Sequence, residues 1–236
     1  MQAPIFRQIA SALFMLSIIG LFFSKAILSV SLILFPILAL LWILRGGKKL
    51  LLTEVAPFAA LSLTFLIIVF SALKGGDTDY LLTQLQMKLP FLALPFALWV
   101  LPGISRQQLH WVVLVFGGFA LLTGVYTLIY YLLNMDIVHE EMLKGRGFPN
   151  PVNEHIRYAL MLCMGVAAWA FLLLDGFLKR NMIFPILAWS SIVFLVVLIH
   201  VMAVRSGWLA LYLLGFYFLF RYLFLSKKYL TGLMFA

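Results

Sequence analysis

The sequence predicts an all-α, polytopic helical membrane protein with about eight transmembrane helices. Three observations carry this. Hydrophobic residues make up 65% of the 236 positions, against about 45–50% in a soluble domain. Charged residues are only 11%, where about 25% is usual, so a water-soluble globule could not cover its own apolar side chains. The apolar residues also fall in uninterrupted blocks close to the roughly 20 residues that a helix needs to cross about 30 Å of hydrocarbon. Barrel strands would alternate apolar and polar residues over about 10 positions, and these blocks are apolar all round. Only helices and closed barrels satisfy the backbone in lipid.

The spans follow in order. Gln8–Ser24 is the first, and Ala26–Leu44 the second, closed by Arg45-Gly46-Gly47-Lys48-Lys49. So little separates them that a tight helical hairpin around Ser24-Lys25 is expected. Val55–Leu73 is the third, and the fourth starts near Tyr80 and ends at Leu101, before Pro102-Gly103. Leu109–Leu133, Ile156–Leu174, Met182–His200 and Gly207–Leu225 complete the set. The longer connections are Lys74–Lys88 and Asn134–His155. One domain covers residues 1–236, with no repeat and no low-complexity tract.

The basic residues bias the orientation, because Lys and Arg favour cytoplasmic loops. With the N-terminus inside, ten of the 17 basic residues fall inside: Arg7, Arg45, Lys48, Lys49, Arg106, Lys179, Arg180, Arg221, Lys227 and Lys228. The other seven, Lys25, Lys74, Lys88, Lys144, Arg146, Arg157 and Arg205, fall outside. The N-terminus is therefore expected in the cytoplasm. Arg7 and the apolar run behind it show no small-residue cleavage site. The net charge of +9 is scattered between apolar blocks, which excludes a nucleic-acid partner. A single cysteine, Cys163, excludes a disulfide framework. It lies mid-span and reads as packing.

The most polar stretch is Gly145-Arg146-Gly147-Phe148-Pro149-Asn150-Pro151-Val152-Asn153-Glu154-His155-Ile156-Arg157. It leads into the sixth span, which Asn150 or Asn153 can cap, with Pro151 suited to a first turn. The eighth span opens with Arg205-Ser206-Gly207, where Ser206 reads as a cap and Gly207 as a place of close approach. Both spans run outside to inside, so two helix N-termini and two arginines meet at one membrane face. Helix starts of this kind hold phosphate. The alternative is that these arginines snorkel to lipid headgroups without specificity. His155 can serve as a general base near neutral pH, with Glu154 beside it; the alternative is a hydrogen-bonded boundary histidine. His139-Glu140-Glu141 lacks a second histidine at ligand spacing, so no metal is expected. His200 reads as an interfacial polar cap or a wall of the same pocket, and Lys88 as a snorkelling lysine, the alternative being a second phosphate contact. The block from Trp208 through Tyr212, Phe216 and Tyr217 to Phe220 reads as lipid-facing bulk.

Three segments carry a family likeness: Lys88-Leu89-Pro90-Phe91-Leu92-Ala93-Leu94-Pro95, Asn153-Glu154-His155-Ile156-Arg157-Tyr158, and Val204-Arg205-Ser206-Gly207-Trp208-Leu209-Ala210. Together they resemble the O-antigen ligase and O-antigen polymerase family, with Val204 where the family usually has a serine before the arginine. The resemblance implies a bacterial inner-membrane glycosyltransferase of lipopolysaccharide or polysaccharide biosynthesis. Such an enzyme moves a glycan from undecaprenyl pyrophosphate to a sugar hydroxyl of an acceptor glycan or glycolipid at the outer face, with no cofactor and no metal. It implies pyrophosphate binding by Arg157 and Arg205, with Arg146 in support, where they would stabilise charge on the departing phosphate oxygen. The family's implicated histidine sits on a long, late outer loop that these 236 residues lack, and His155 is assigned its place. Rival readings are a flippase or transporter of a lipid-linked or anionic substrate, and a non-catalytic membrane scaffold. A transporter would want charges near the bilayer midplane, whereas here they lie at span ends. Tyr229–Ala236 opens a further apolar run that rises only about 12 Å as a helix. The sequence therefore reads as lacking its C-terminal part, and the chain alone is expected to insert without transferase activity.

Overall fold

The computed structural model describes residues 3–47, 62–63, 65–67, 69–71, 88–144, 155–180, 182–202 and 204–225. Among them the secondary structure is helical, with no strand. The helices are α1 (Ala3–Phe23), α2 (Lys25–Leu44), α3 (Pro90–Val100), α4 (Arg106–Leu133), α5 (Met135–Leu143), α6 (His155–Leu174), α7 (Ile183–Val201) and α8 (Arg205–Leu225). Five of these, α1, α2, α4, α6 and α7, are long and apolar enough to cross a membrane, and α3 and α8 contribute shorter apolar stretches. The chain is a multi-pass helical membrane protein. The third expected span falls mostly outside the described residues, as do Lys74–Met87 of the first long connection.

The chain divides into two compact units, Met1–Val112 and Val113–Ala236. In the first, α1 and α2 form the hairpin expected at Ser24. Ser24 caps α2 by accepting from the Ile27 N–H at 3.4 Å, and its own N–H closes α1 on the Gly20 carbonyl at 2.9 Å. The two helices are bonded by the Ser17 and Ser31 hydroxyls, 2.9 Å apart. Small hydroxyl residues of this kind hold helices together in lipid, where apolar burial supplies little drive. Helix α2 ends on Gly46 at φ +72°, the left-handed turn that glycine adopts without strain. The Gly47 N–H returns to the Trp42 carbonyl at 3.0 Å and the Gly46 N–H to Ile43 at 2.9 Å, so carbonyls that the helix would orphan are satisfied. Helix α3 adds its C-terminal half to a core of Phe6, Ala10, Leu13, Phe35, Ala39, Ala97 and Val100.

Helix α4 begins three residues before the expected Leu109. Ser105 and Gln108 cap it reciprocally: the Ser105 N–H donates to Gln108 Oε1 at 2.9 Å and the Gln108 N–H to Ser105 Oγ at 3.2 Å. This capping box draws Arg106, Gln107 and Gln108 into the helix.

The second unit is built around α6, whose Tyr158, Ala159, Leu162 and Leu172 are fully buried. The portion of α4 in this unit runs antiparallel to α6. Trp169 Nε1 donates to the Gly117 carbonyl at 3.2 Å, and the hydroxyls of Tyr158 and Thr127 pair at 2.8 Å. Between these bonds a Cβ on Gly165 would sit 2.5 Å from Ala120 Cβ, so glycine lets the backbones touch. A 3₁₀ turn at Phe177–Arg180 leads from α6 toward α7, and α8 follows after Val204.

Two expectations need correction. The connection Asn134–His155 is not all loop: Met135–Leu143 is a helix. Its acidic Asp136 suits the first turn, Val138 is its buried anchor, and Lys144 pairs with Glu140 one turn back at 2.6 Å. Ser206 is not a cap. Helix α8 starts at Arg205 and the Trp208 N–H bonds the Val204 carbonyl at 3.1 Å. That puts Ser206 inside the first turn, with its Oγ buried and unpartnered.

Candidate lipid-phosphate site at the start of α6 and α8

Helices α6 and α8 run parallel and touch at their N-terminal ends. A Cβ on Gly207 would come within 2.9 Å of Ala159 Cβ, and Cys163 Sγ donates to the Gly207 carbonyl at 3.3 Å. This is the close approach expected of Gly207, and the partner is helix α6. It also gives Cys163 a structural bond. The contact brings the first turns of both helices to one end of the unit, and with them His155 and Arg157 on α6 and Arg205 on α8. All three residues are exposed. Arg146, the remaining phosphate candidate, lies outside the described residues, as do Asn150, Asn153 and Glu154.

The C-terminal end of α7 reaches the same place, where His200, expected as a polar cap or a pocket wall, is bonded to two partners. His200 Nδ1 lies 2.8 Å from the Val196 carbonyl, and Nε2 lies 3.2 Å from the Tyr212 hydroxyl. A carbonyl only accepts, so Nδ1 carries the proton. In the neutral ring Nε2 then accepts from the Tyr212 O–H. The Trp208 ring stacks on His200 with centroids 5.8 Å apart, and its Nε1 donates to the Ile199 carbonyl at 3.2 Å. Two members of the aromatic block therefore use their polar ends to tie α8 to α7, while Phe216, Tyr217 and Phe220 face outward. The signal was available: helices joined by a link as short as 202–204 are antiparallel neighbours, which sets residues 199–200 against 208–212.

Past the α6–α8 contact the side chains of α6, α7 and α8 leave space between them. The result is a cleft of about 840 Å³, within the usual range for a small-molecule site of about 300–1,000 Å³. Val166, Ala170 and Leu173 line it from α6, Ile192 and Val196 from α7, and Leu211, Gly215 and Phe218 from α8, with His200 and Tyr212 the polar pair in its wall. From Val166 to Leu174 the wall rises about 12 Å. The cleft lies past the α6–α8 contact, about 9 Å along α8 from Arg205 and about 14 Å along α6 from Arg157. Its lining suits a hydrocarbon chain, with His200 and Tyr212 as the polar pair.

No known family, curated protein or solved structure matches this chain.

One turn along α4 from Thr127, the Tyr131 hydroxyl engages His139 Nε2 at 3.1 Å. No group of three metal-ligating side chains occurs among the described residues. Lys88 is half-buried, two residues before α3.

Proposed function

We propose that the second unit binds a lipid-linked glycan pyrophosphate, and that the chain takes part in O-antigen ligase-like glycan transfer at the outer face of a bacterial inner membrane. The main support is an apolar cleft in the same unit as a helix end that carries Arg157 and Arg205. In this reading the isoprenoid chain lies along Val166–Leu173 and Leu211–Phe218. The pyrophosphate meets the N–H groups and arginines at the starts of α6 and α8, with Arg146 in support. An acceptor sugar hydroxyl oxygen bonds to the anomeric carbon, and the bond from that carbon to the pyrophosphate oxygen breaks. Undecaprenyl pyrophosphate leaves with the electron pair, stabilised by the arginines, and His155 takes the hydroxyl proton. The partners are the lipid-linked donor, an acceptor glycan or glycolipid, and membrane lipids.

Binding of undecaprenyl pyrophosphate to the purified full chain tests the assignment. Each lost charge-assisted phosphate contact should cost about 1.5–3 kcal/mol, roughly a 10- to 150-fold loss of affinity. Arg205→Lys should also weaken binding, because lysine lacks the bidentate fork. Wild-type affinity in both Arg157→Ala and Arg205→Ala would remove the pyrophosphate site from this helix end.

The same reading requires the N-terminus inside and residues 134–155 outside. In a Cys163→Ala background, single cysteines at Lys48 and Lys144 should label from opposite sides of sealed vesicles with an impermeant thiol reagent. Labelling of both from one side contradicts the orientation.

A further inference from the structure

In the first unit three buried hydrogen-bond donors have no acceptor among the described residues. Arg7 Nε, Trp42 Nε1 and Trp99 Nε1 are each buried with no partner. A guanidinium and an indole only donate, and a buried donor without an acceptor costs about 1–3 kcal/mol. Three at one end of a small helical unit is a large standing deficit. They do share an end. The Phe6 and Trp42 rings are 4.9 Å apart, Arg7 follows Phe6 in α1, and Trp42 and Trp99 pack on the core that contains Phe6, Ala39 and Val100. Arg45 adds a second cation, its Cζ 5.8 Å from the Phe6 ring centroid. The described residues of this unit include no aspartate or glutamate, so no carboxylate among them balances Arg7 and Arg45. No described residue supplies this place with acceptor oxygens, and an anion with several would suit it. Helix α1, with 21 residues, rises about 31 Å and matches the hydrocarbon thickness of about 30 Å. Arg7, one turn from its start, therefore lies just inside the headgroup layer, where phospholipid phosphates are.

We propose that Arg7, Trp42 and Trp99, with Arg45 beside them, bind the phosphate of a phospholipid headgroup at this end of the first unit. A dispersed basic surface would attract anionic lipid through charge alone. This site differs in that neutral indole N–H groups take part, so removing them must weaken binding without changing charge.

The test titrates the full chain in detergent with dioctanoyl phosphatidylglycerol and follows the thermal unfolding midpoint, with dioctanoylglycerol as the phosphate-free control and inorganic phosphate as competitor. Phosphatidylglycerol should raise the midpoint and dioctanoylglycerol should not. Arg7→Met should weaken binding about tenfold or more, as for a lost charged hydrogen bond. Trp42→Phe and Trp99→Phe should each weaken it several-fold. Without lipid, both Trp→Phe variants should unfold at or above the wild-type midpoint, because each removes an orphaned donor; a purely packing role for the indoles predicts a fall. Competition by inorganic phosphate identifies the bare anion as sufficient, and its failure to compete identifies the lipid as the source. Equal stabilisation by dioctanoylglycerol, or wild-type phosphatidylglycerol affinity in all three variants, overturns the proposal. In an Arg157→Ala/Arg205→Ala background, which removes the second unit's proposed phosphate contacts, phosphatidylglycerol should still raise the midpoint and Arg7→Met should still weaken that effect, which separates this site from the reading of the second unit.

Discussion

Gly20→Leu is expected to open the α1–α2 hairpin. A Cβ at Gly20 would lie 2.4 Å from the Leu28 backbone nitrogen and 2.7 Å from its Cα. Those atoms belong to the first turn of α2, which Ser24 caps, so they cannot rotate aside as a side-chain tip can. Overpacking usually costs about 1–3 kcal/mol and occasionally more. A clash with backbone on both sides of a tight turn belongs at or above the top of that range. The helices must separate, and the Ser17–Ser31 bond at 2.9 Å goes with them. In a Cys163→Ala background, a Ser17→Cys/Ser31→Cys pair should cross-link readily with Gly20 present and poorly with leucine in its place. The unfolding midpoint in detergent should fall in parallel. Gly118 is the control: a Cβ there meets nothing within 4 Å, so Gly118→Leu should not destabilise, and inside α4 it should gain up to about 1 kcal/mol of helix propensity. Full cross-linking and an unchanged midpoint in Gly20→Leu would show that the backbones do not touch.

Most of the span boundaries were legible because lipid imposes length and composition on each helix. The apolar runs ending at Leu44, Leu133, Leu174 and Leu225 end as helices at the same residues. The starts were less legible, since caps and not apolarity set them: Ser105 and Gln108 lengthen α4, and Val204 moves the start of α8 to Arg205. The helix Met135–Leu143 was hidden because it is too short and too charged to read as a span; its cues are an acidic first turn and an i, i+4 pair. Glycine contacts were legible only where a motif drew attention to Gly207. Nothing local distinguishes Gly20 and Gly165, which touch a neighbouring helix, from Gly118, which does not, because the partner surface decides. For the site, the sequence placed Arg157 and Arg205 at one end by counting spans. It read Tyr212 and Trp208 as lipid-facing bulk and so missed their bonds to the end of α7, and it missed the unpartnered donors of Arg7, Trp42 and Trp99, because burial without a partner is a property of the packed bundle.

Exchanging the small residues at the α6–α8 contact should cost far less than enlarging one of them. Gly207→Ala alone places a methyl 2.9 Å from Ala159 Cβ and 3.4 Å from Ile199 Cγ2. The first distance is one that real Cβ atoms do not show, so α8 must move away from α6. That motion also strains the Cys163–Gly207 bond at 3.3 Å and shifts Arg205 relative to Arg157. Removing the opposing methyl relieves it: in Ala159→Gly/Gly207→Ala the nearest α6 atom is Ala159 Cα at 3.9 Å, an ordinary contact. Helix propensity nearly cancels in the exchange, since one site loses and the other gains about 1 kcal/mol. Gly207→Ala should therefore lower stability by about 1–3 kcal/mol, and the double variant should recover most of it, a coupling well above the roughly 0.3–0.5 kcal/mol scatter of independent sites. Gly207→Leu should be worse than alanine and beyond rescue by Ala159→Gly, because the larger side chain also meets Ile199. Undecaprenyl pyrophosphate affinity should follow the same order, wild type and the exchange variant above Gly207→Ala and Gly207→Leu last, because the proposed phosphate site depends on this crossing. Additive effects of Ala159→Gly and Gly207→Ala on stability would show that the two helices do not meet here. Coupled stability with unchanged affinity would leave the crossing in place and detach the pyrophosphate from it.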